Sequence, residues 1–295
     1  MATAALGDRL VAALAWLKNA PPLLAIRRRR HARWFASSSE YTFSGVFGGF
    51  AEAVGGAPPG RLIGSDHEHA ADLAITGGAE TLSRVNARDY PLMFWLREAI
   101  LSGVTQVFDF GGHVGVKYYS FRPYLRYPPA LRWTVYDMPA VTAVGRRLAG
   151  EREDASQLAF TDRLEDADGV DVFFATGSLQ YEETLPWNLL SRFRRLPEHL
   201  LLGGLPLSEG PRFVTLLNIG KGYCPYHVFN RAEMLDGIES LGYSLVDTWP
   251  IPDKRCVIPF EEARSVRGYT GLYFRRRAET RSPSQNAASA ETGGR

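Results

Sequence analysis

The sequence predicts an α/β fold in which a doubly wound, mostly parallel sheet carries helices on both faces. From residue 104 onward, short apolar runs alternate with segments long enough for helices, as in strand–helix–strand units. The first run ends in a glycine-rich turn, and the next three also end in polar or glycine residues. Because open α/β sheets bind ligands beyond the carboxyl ends of their strands, these observations also predict a ligand site along one edge of the sheet.

The first predicted strand, Val104–Phe108, leads into the glycine-rich segment Asp109–Gly115. Such a turn is typical of a strand that continues into a helix whose N-terminal N–H groups face a ligand. A dinucleotide fingerprint has glycine two residues before Gly112, where this chain has Phe110. The acid at the strand tip instead suits a ligand with a cationic amine, such as S-adenosylmethionine. An ordinary turn without a ligand remains the alternative.

The following strands repeat this pattern of polar ends. The second strand, residues 131–137, ends in Asp137, 28 residues after Asp109, which is about the length of one strand–helix–strand unit. An acid here can accept hydrogen bonds from both hydroxyls of a ribose, although a simple turn acid is the alternative. The third strand, Leu158–Asp162, ends in a polar pair at the height of an adenine ring. The fourth, which starts at Val170, is buried and opens into a loop that ends at Tyr181.

The chain divides into four predicted regions. Residues 1–40 form a helix and a basic connector, residues 41–100 a mostly helical cap, residues 101–277 the sheet domain, and residues 278–295 a disordered tail without aromatic residues. The other predicted elements are helices at Tyr90–Ile100, Leu185–Leu196 and Arg231–Leu241, a fifth strand at His199–Leu202, and an antiparallel final pair at Tyr243–Trp249 and Thr270–Arg275.

The N-terminal region has an apolar part and a basic part. The leucines between Leu6 and Leu17 fall on one helical face, and the run Arg27–Trp34 follows two prolines. The apolar stretch is too short to span a membrane, which takes about 20 residues, and no basic stretch precedes it as in a secretory signal. Two interpretations stay open: a helix packed on the body beside solvated arginines, or peripheral contact of residues 1–34 with an anionic membrane surface.

Composition excludes several classes of protein. A net charge of +2 makes no case for nucleic-acid binding. The two cysteines, Cys224 and Cys256, are too few for a disulfide framework or a zinc site, which predicts free thiols and a cytoplasmic, reducing compartment. The segment Asp66–His69 holds two histidines without a third ligand nearby, so we predict a solvated loop there and no metal site.

Five stretches of the chain resemble a family of bacterial class I S-adenosylmethionine-dependent methyltransferases. That family carries an Asp-Phe-Gly-Gly-Ser-x-Gly loop and a Leu-Gln-Tyr after the fourth strand. The matching stretches, between about residues 41 and 275, are Phe43–Phe47 with Phe50–Ala53, Tyr90–Pro91, Asp109–Gly115, Gly177–Tyr181 and Pro225–Arg231. One departure is His113, where the family has serine; its side chain could crowd the methionine carboxylate or donate a hydrogen bond to it.

The resemblance implies a Rossmann-like, doubly wound, mostly parallel seven-stranded sheet with an N-terminal helical extension, and S-adenosyl-L-methionine as cofactor. The predicted cofactor-binding residues are Asp109, Gly111, Gly112, His113, Gly115, Asp137, Met138, Thr161, Asp162, Gly177 and Ser178, and the predicted acceptor-binding residues are Gln180, Tyr223 and Tyr226. The acceptor is expected to be a small molecule or glycan that offers a hydroxyl or amine, such as a sugar in surface-polysaccharide biosynthesis.

Methyl transfer needs an acceptor atom that loses a proton and lies in line with the methyl group. His227 is the first candidate base, because imidazole titrates near neutral pH; a histidine that caps the helix beginning near Asn230 is the alternative. Tyr181 and Glu182 are the other candidates. Two other functions stay open: a cofactor-binding scaffold without turnover, and a nicotinamide-dependent oxidoreductase, against which Asp109 and Phe110 argue.

Overall fold

The computed structural model describes residues 21–64, 82 and 84–277. The strands are β1 (Thr42–Phe47), β2 (Leu62–Ile63), β3 (Gln106–Phe110), β4 (Arg132–Tyr136), β5 (Leu158–Thr161), β6 (Val172–Thr176), β7 (His199–Leu205), β8 (Leu207–Ser208), β9 (Phe213–Asn218), β10 (Gly222–Asn230), β11 (Tyr243–Ile251) and β12 (Tyr269–Arg276). The helices are α1 (Pro21–Ser37), α2 (Phe50–Gly55), α3 (Tyr90–Leu101), α4 (Val116–Phe121), α5 (Pro139–Gly150), α6 (Pro186–Leu190) and α7 (Arg231–Ser240). Three predicted segments lie outside the described residues: the leucine helix before residue 18, Asp66–His69, and the tail 278–295.

The larger sheet has seven strands in the order β11-β12-β7-β6-β3-β4-β5. Its strands are parallel except β12, which is antiparallel to both neighbours. This confirms the predicted fold class, including the antiparallel final pair. The chain runs from β3 outward to β4 and β5 and returns on the other side of β3 as β6, so the strand order reverses between β3 and β6. A crevice opens at such a reversal, beyond the carboxyl ends of the strands.

The central strands are buried on both faces, as their near-continuous apolar sequences require. Alternate residues of a strand point to opposite faces. Val107, Trp133 and Phe174 therefore pack in the core on one face, and Phe108 and Phe173 pack in the core on the other. These two apolar layers fix the heights at which the strands end, and hence the edge along which a ligand can lie.

A second sheet, in the order β1-β9-β10-β2 with β8 beside β10, departs from the prediction. We predicted that residues 41–100 are mostly helical, whereas Thr42–Phe47 is a strand antiparallel to β9. Its aromatic and β-branched residues favour a strand, but the partner that stabilises it lies about 170 positions later in the chain. The sheet also joins the predicted cap to the segment between β7 and α7, across the domain boundary predicted at residue 100.

Two helices also differ from their predicted extents. The basic run predicted as a connector belongs to α1, which begins at the two prolines, where proline is well tolerated. Helix α6 ends at Leu190 instead of Leu196, because the chain then turns so that Arg195 N donates to the Asp168 carboxylate at 2.8 Å. Among the described residues, no helix is long and apolar enough to cross a membrane.

Candidate ligand-binding cleft between the two sheets

A cleft of about 1230 Å³ opens at the carboxyl edge of the larger sheet, where the strand order reverses. Its lower wall follows the ends of β3, β4, β5 and β6, and the facing wall comes from the segment after α1 and from the β9–β10 turn. Of the predicted site residues, Gly111, Gly112, His113, Asp137, Met138, Asp162, Gly177, Ser178, Tyr181 and Glu182 line the cleft. The structure therefore brings ten of the seventeen predicted residues together.

The glycines after β3 are required by close approach of the backbone to its neighbours. Gly111 has a left-handed backbone, with φ of 69°, and a Cβ there would lie 2.3 Å from the Cβ of Ser178. A Cβ on Gly112 would lie 2.5 Å from the carboxylate of Asp109. Neither position has room for a side chain. The loop thus passes directly over the strand ends and leaves its outer surface to the cleft.

Asp109 does not line the cleft. The register of β3 points its side chain into the core, where Oδ2 accepts a hydrogen bond from Trp133 Nε1 at 3.0 Å, and Oδ1 has no partner among the described residues. Burial raises the pKa of this carboxyl to about 7, and the Trp133 hydrogen bond and the charge of Lys117 oppose the rise. Asp109 therefore supports the loop from below. The sequence had instead predicted that this carboxylate faces a bound amine.

Asp137, at the end of β4, joins the loop to the sheet and faces the cleft. Its Oδ2 accepts from the backbone N–H of His113 at 2.9 Å, and its Oδ1 accepts from the N–H of Met138 at 2.8 Å. Burial raises the pKa of this carboxyl, while the two backbone hydrogen bonds lower it. Each carboxylate oxygen can still accept a second hydrogen bond, so Asp137 can hold two neighbouring hydroxyls of a ligand.

The end of β6 is tied to β3 through Ser178, whose Oγ donates to the carbonyl of Phe110 at 2.6 Å. The following turn brings Tyr181 and Glu182 to the cleft. Burial raises the pKa of both side chains. Gln180 of the same turn is buried and does not line the cleft, so the structure does not place it where it could touch an acceptor.

The third strand contributes one residue of its predicted pair. Asp162 lines the cleft, but Thr161 is buried, and its hydroxyl donates to Asp166 Oδ2 at 2.5 Å. Gly115, the last glycine of the loop, lies at the start of α4 with a left-handed φ of 90° and does not line the cleft. Thr161 and Gly115 thus shape the wall of the site without facing its interior.

Two tyrosines predicted to bind the acceptor lie elsewhere. Tyr223 is buried, and its ring stacks on Phe35 with centroids 5.3 Å apart. The Tyr226 hydroxyl is also buried, 2.9 Å from the hydroxyl of Tyr269. Both belong to β10, whose pleat alternates between the faces of the second sheet, and neither lines the cleft. Cys224, which lies between them in the sequence, is the β10 residue that does.

His227 is not at the cleft either. Its ring packs between Phe50 and Phe229, at centroid distances of 4.8 and 5.3 Å, and burial lowers its pKa. Its Nε2 is 3.4 Å from the carbonyl oxygen of Glu183. The helix-capping alternative is wrong as well, since the side chain of Asn230 caps α7. The sequence could not place His227, because a histidine in a strand cannot be told from one in a loop until the paired strand is known. Here the paired strand is β9.

Three cations that the sequence analysis missed, Arg88, Lys117 and Lys254, line the cleft. Lys117 Nζ lies 2.5 Å from Asp89 Oδ2, and Arg88 pairs with Asp253. Lys254 makes no ion pair with any described residue, so three cations face two anions. Burial lowers the pKa of Lys254, and the charges of Arg88 and Lys117 lower it further. Only Lys117 had a sequence signal, its position just after the glycine loop.

The described residues do not include a set of side chains that could bind a metal ion. Among the described residues, no three His, Cys, Asp or Glu side chains lie together as metal ligands would. The cleft instead offers the carboxylates of Asp137 and Asp162 as hydrogen-bond acceptors, and the ammonium or guanidinium groups of Lys117, Lys254 and Arg88 as donors. Such a surface can hold an organic ligand that carries hydroxyls and a carboxylate.

No family model matches this sequence, and a search of the curated proteins gave no match. Among solved structures, the chain is similar to 1,6-didemethyltoxoflavin-N1-methyltransferase from Burkholderia thailandensis, at 16% identity over 75% of this chain and 95% of that one, with a TM-score of 0.41. It is also similar to magnesium protoporphyrin IX methyltransferase from Synechocystis PCC 6803, at 15% identity over 72% and 87%, with a TM-score of 0.42. A third is the N-terminal domain of EvdMO1, at 14% identity over 72% and 98%, with a TM-score of 0.46. Because these identities and TM-scores are low, the fold assignment rests on the observed strand order and not on the similarity to these structures.

Proposed function

We propose that this protein is an S-adenosylmethionine-dependent methyltransferase that acts on a hydroxyl or amine of a small polar acceptor. The observation that carries the proposal is the arrangement of the cleft. Two acids at the ends of neighbouring strands, a loop with two glycines that have no room for a side chain, and a lysine that makes no ion pair with any described residue line the edge where the strand order reverses. This sequence of groups matches a ligand made of an adenine, a ribose and an amino acid.

Each part of the cofactor has a residue suited to it. Asp137 has free lone pairs for the ribose hydroxyls, and Asp162 lies at the end of the next strand, beside the expected adenine. Lys254 offers its ammonium to the amino-acid carboxylate, next to Gly177, where a Cβ would come within 3.3 Å of Nζ. The cofactor itself supplies an electrophilic methyl group on a sulfonium, so the protein has to bind, orient and deprotonate the acceptor.

The facing wall of the cleft is the proposed acceptor side. Tyr41, Lys221 and Cys224 come from the second sheet and its approaches, so the acceptor would lie between the two sheets. Glu182 is the candidate base, because it lines the cleft and burial raises its pKa, which makes the carboxylate a stronger base. Burial raises the pKa of Cys224 to about 11, which keeps that thiol protonated.

The acceptor class follows from the resemblance, which suggests a sugar in surface-polysaccharide biosynthesis. We also propose a cytoplasmic location, which the free thiols Cys224 and Cys256 support. Incubation of the protein with labelled cofactor and a mixture of sugar-nucleotide metabolites should transfer label to one of them. Tight cofactor binding with no label on any metabolite, glycan or protein would favour the scaffold alternative.

Calorimetric titration with S-adenosylhomocysteine and with NAD separates the proposed cofactor from the rival one. We expect binding of S-adenosylhomocysteine alone, and binding of NAD alone would overturn the proposal. Asp137→Ala should weaken S-adenosylhomocysteine binding, because each hydrogen bond lost to a charged acceptor is worth about 1.5–3 kcal/mol. Asp236→Ala, which removes an exposed acid from α7, is the matched control and should bind as the unaltered protein does.

A further inference from the structure

Helix α1 is strongly basic and is fixed to the body along one side. It has five arginines and no acid in 17 residues. On its inner side, Phe35 is buried against Tyr223, and the ring of His31 lies 5.7 Å from that of Phe260. The side-chain amide of Asn218 donates to the Phe35 carbonyl at 3.0 Å. These contacts hold the helix in one orientation and so define which of its side chains face outward.

The outward side of α1 carries apolar residues between arginines. Leu23, Ile26 and Trp34 are 43%, 53% and 42% exposed. At helical spacing they share one side of the helix with three arginines. This group, called the outer stripe below, consists of Leu23, Ile26, Arg29, Arg30, Arg33 and Trp34.

The arginines of α1 differ in their ion-pair partners. Arg28 reaches Glu261 at 3.4 Å on the inner side. By contrast, Arg29, Arg30 and Arg33 make no ion pair with any described residue. A positive surface with exposed leucine, isoleucine and tryptophan side chains needs a partner that offers both negative charge and an apolar layer. An anionic phospholipid surface offers both, since the acyl boundary accepts the apolar side chains and the headgroups pair with the guanidinium groups.

We propose that the outer stripe of α1 binds the surface of an anionic phospholipid membrane. Nucleic acid would satisfy the arginines but would leave Leu23 and Ile26 without a partner, so the apolar residues favour lipid. The position of the helix gives the contact a consequence for the cleft. Ser39 and Tyr41, just after the end of α1, line the cleft, so a membrane-bound α1 holds the cleft close to the lipid surface. This binding goes beyond the proposed methyl transfer and does not depend on it.

Sedimentation of the full chain with vesicles tests the proposal. We expect binding to vesicles of phosphatidylglycerol and phosphatidylcholine, and little binding to phosphatidylcholine alone. Replacing Arg29, Arg30 and Arg33 together with glutamine should weaken this binding by at least about tenfold, given the contribution of each basic residue near an anionic surface. The double change Ile26→Ser with Trp34→Ser should weaken it at unchanged charge.

The control removes the same charge elsewhere. The triple variant Arg126→Gln, Arg132→Gln and Arg147→Gln changes three exposed arginines away from α1 and should sediment as the unaltered protein does. Circular dichroism checks that every variant is folded. Equal loss in the control and the outer-stripe variants, no sedimentation with anionic vesicles, or binding to duplex DNA in preference to vesicles would each overturn the proposal.

Discussion

Asp109 and Asp137 lie at the ends of neighbouring strands, yet their carboxylates have different surroundings. Asp137 accepts two backbone hydrogen bonds and faces the cleft. Asp109 is fully buried: its Oδ2 accepts one hydrogen bond, and its Oδ1 has no partner in the part of the chain that the structure describes. A buried carboxylate with so few donors is costly to ionise. The same residue type therefore serves as a ligand group at one strand end and as a support for the loop at the other.

The buried Asp109 carboxyl should make stability depend on pH. Its pKa is about 7 in the folded protein against 3.8 for the free side chain, so the folded chain binds more protons than the unfolded chain between these values. Stability is thus expected to fall as the pH rises from about 4 to about 7, by up to about 4 kcal/mol. Urea denaturation of Asp109→Asn should show a smaller fall than the unaltered protein. Asp236→Asn is the control, and an unchanged pH dependence in Asp109→Asn would contradict the prediction.

The position of the base can be tested with two variants. Glu182→Gln should lower turnover of the acceptor found with labelled cofactor by about 100-fold or more, the scale of general base catalysis, and should leave the affinity for S-adenosylhomocysteine nearly unchanged. His227→Gln should keep turnover within about twofold, because His227 lies outside the cleft. Turnover rates measured across pH for both variants show which of the two residues is the general base. A large loss in His227→Gln with full folding would return His227 to the site.

At the scale of elements, the second sheet is what closes the cleft. Strand β1 pairs with β9, and β9 pairs with β10, so the wall opposite the glycine loop depends on a short N-terminal strand. Gly45 bends that strand with a left-handed φ of 79°, and Thr215 Oγ1 donates to its carbonyl at 2.8 Å. The bend lets Phe47 fold back against Gly45 and pack toward α2.

Gly45→Ala should therefore destabilise the protein. The backbone is in a region that alanine rarely adopts, and the new Cβ would lie 2.6 Å from the Phe47 ring. We expect a loss of about 1–3 kcal/mol in the free energy of unfolding, measured by urea denaturation. Gly210→Ala is the matched control, since no atom lies within 4 Å of a Cβ at Gly210, and it should change little. Equal effects of the two variants would argue against a strained bend in β1.

At the scale of the whole molecule, the acidic and basic side chains of the cleft belong to different elements of the fold. Asp137 and Asp162 lie beyond the ends of β4 and β5, whereas the ammonium of Lys254, from the connection after β11, lies beyond the end of β6, where a Cβ on Gly177 would come within 3.3 Å of it. Its ammonium makes no ion pair with any described residue, whereas Lys117 and Arg88 pair with Asp89 and Asp253. A ligand with hydroxyls at one end and a carboxylate at the other fits this polarity in one direction only.

The positive charge of Lys254 should stabilise only the amino-acid part of the bound cofactor. Lys254→Met is expected to weaken S-adenosylhomocysteine binding by about tenfold or more, the scale of a lost charged hydrogen bond. It should leave the binding of 5′-methylthioadenosine, which lacks the amino-acid part, unchanged. Arg255→Met, an exposed neighbour, is the control, and calorimetry measures all three proteins. Equal weakening of both ligands by Lys254→Met would place the lysine away from the carboxylate.

The sequence by itself determined the larger sheet and the lower wall of the cleft. Apolar runs, their lengths and the acid or glycine residues that follow them are local signals, so strands near Asp109, Asp137 and Asp162 could be predicted with the edge they share. Only the tertiary structure decided the rest. Pairing of β1 with β9, the inward direction of Asp109, and the placement of Lys254 and His227 depend on contacts between distant parts of the chain. Such contacts produce no periodic pattern in the local sequence, because each depends on a partner that lies far away in the chain and on the register of that pairing.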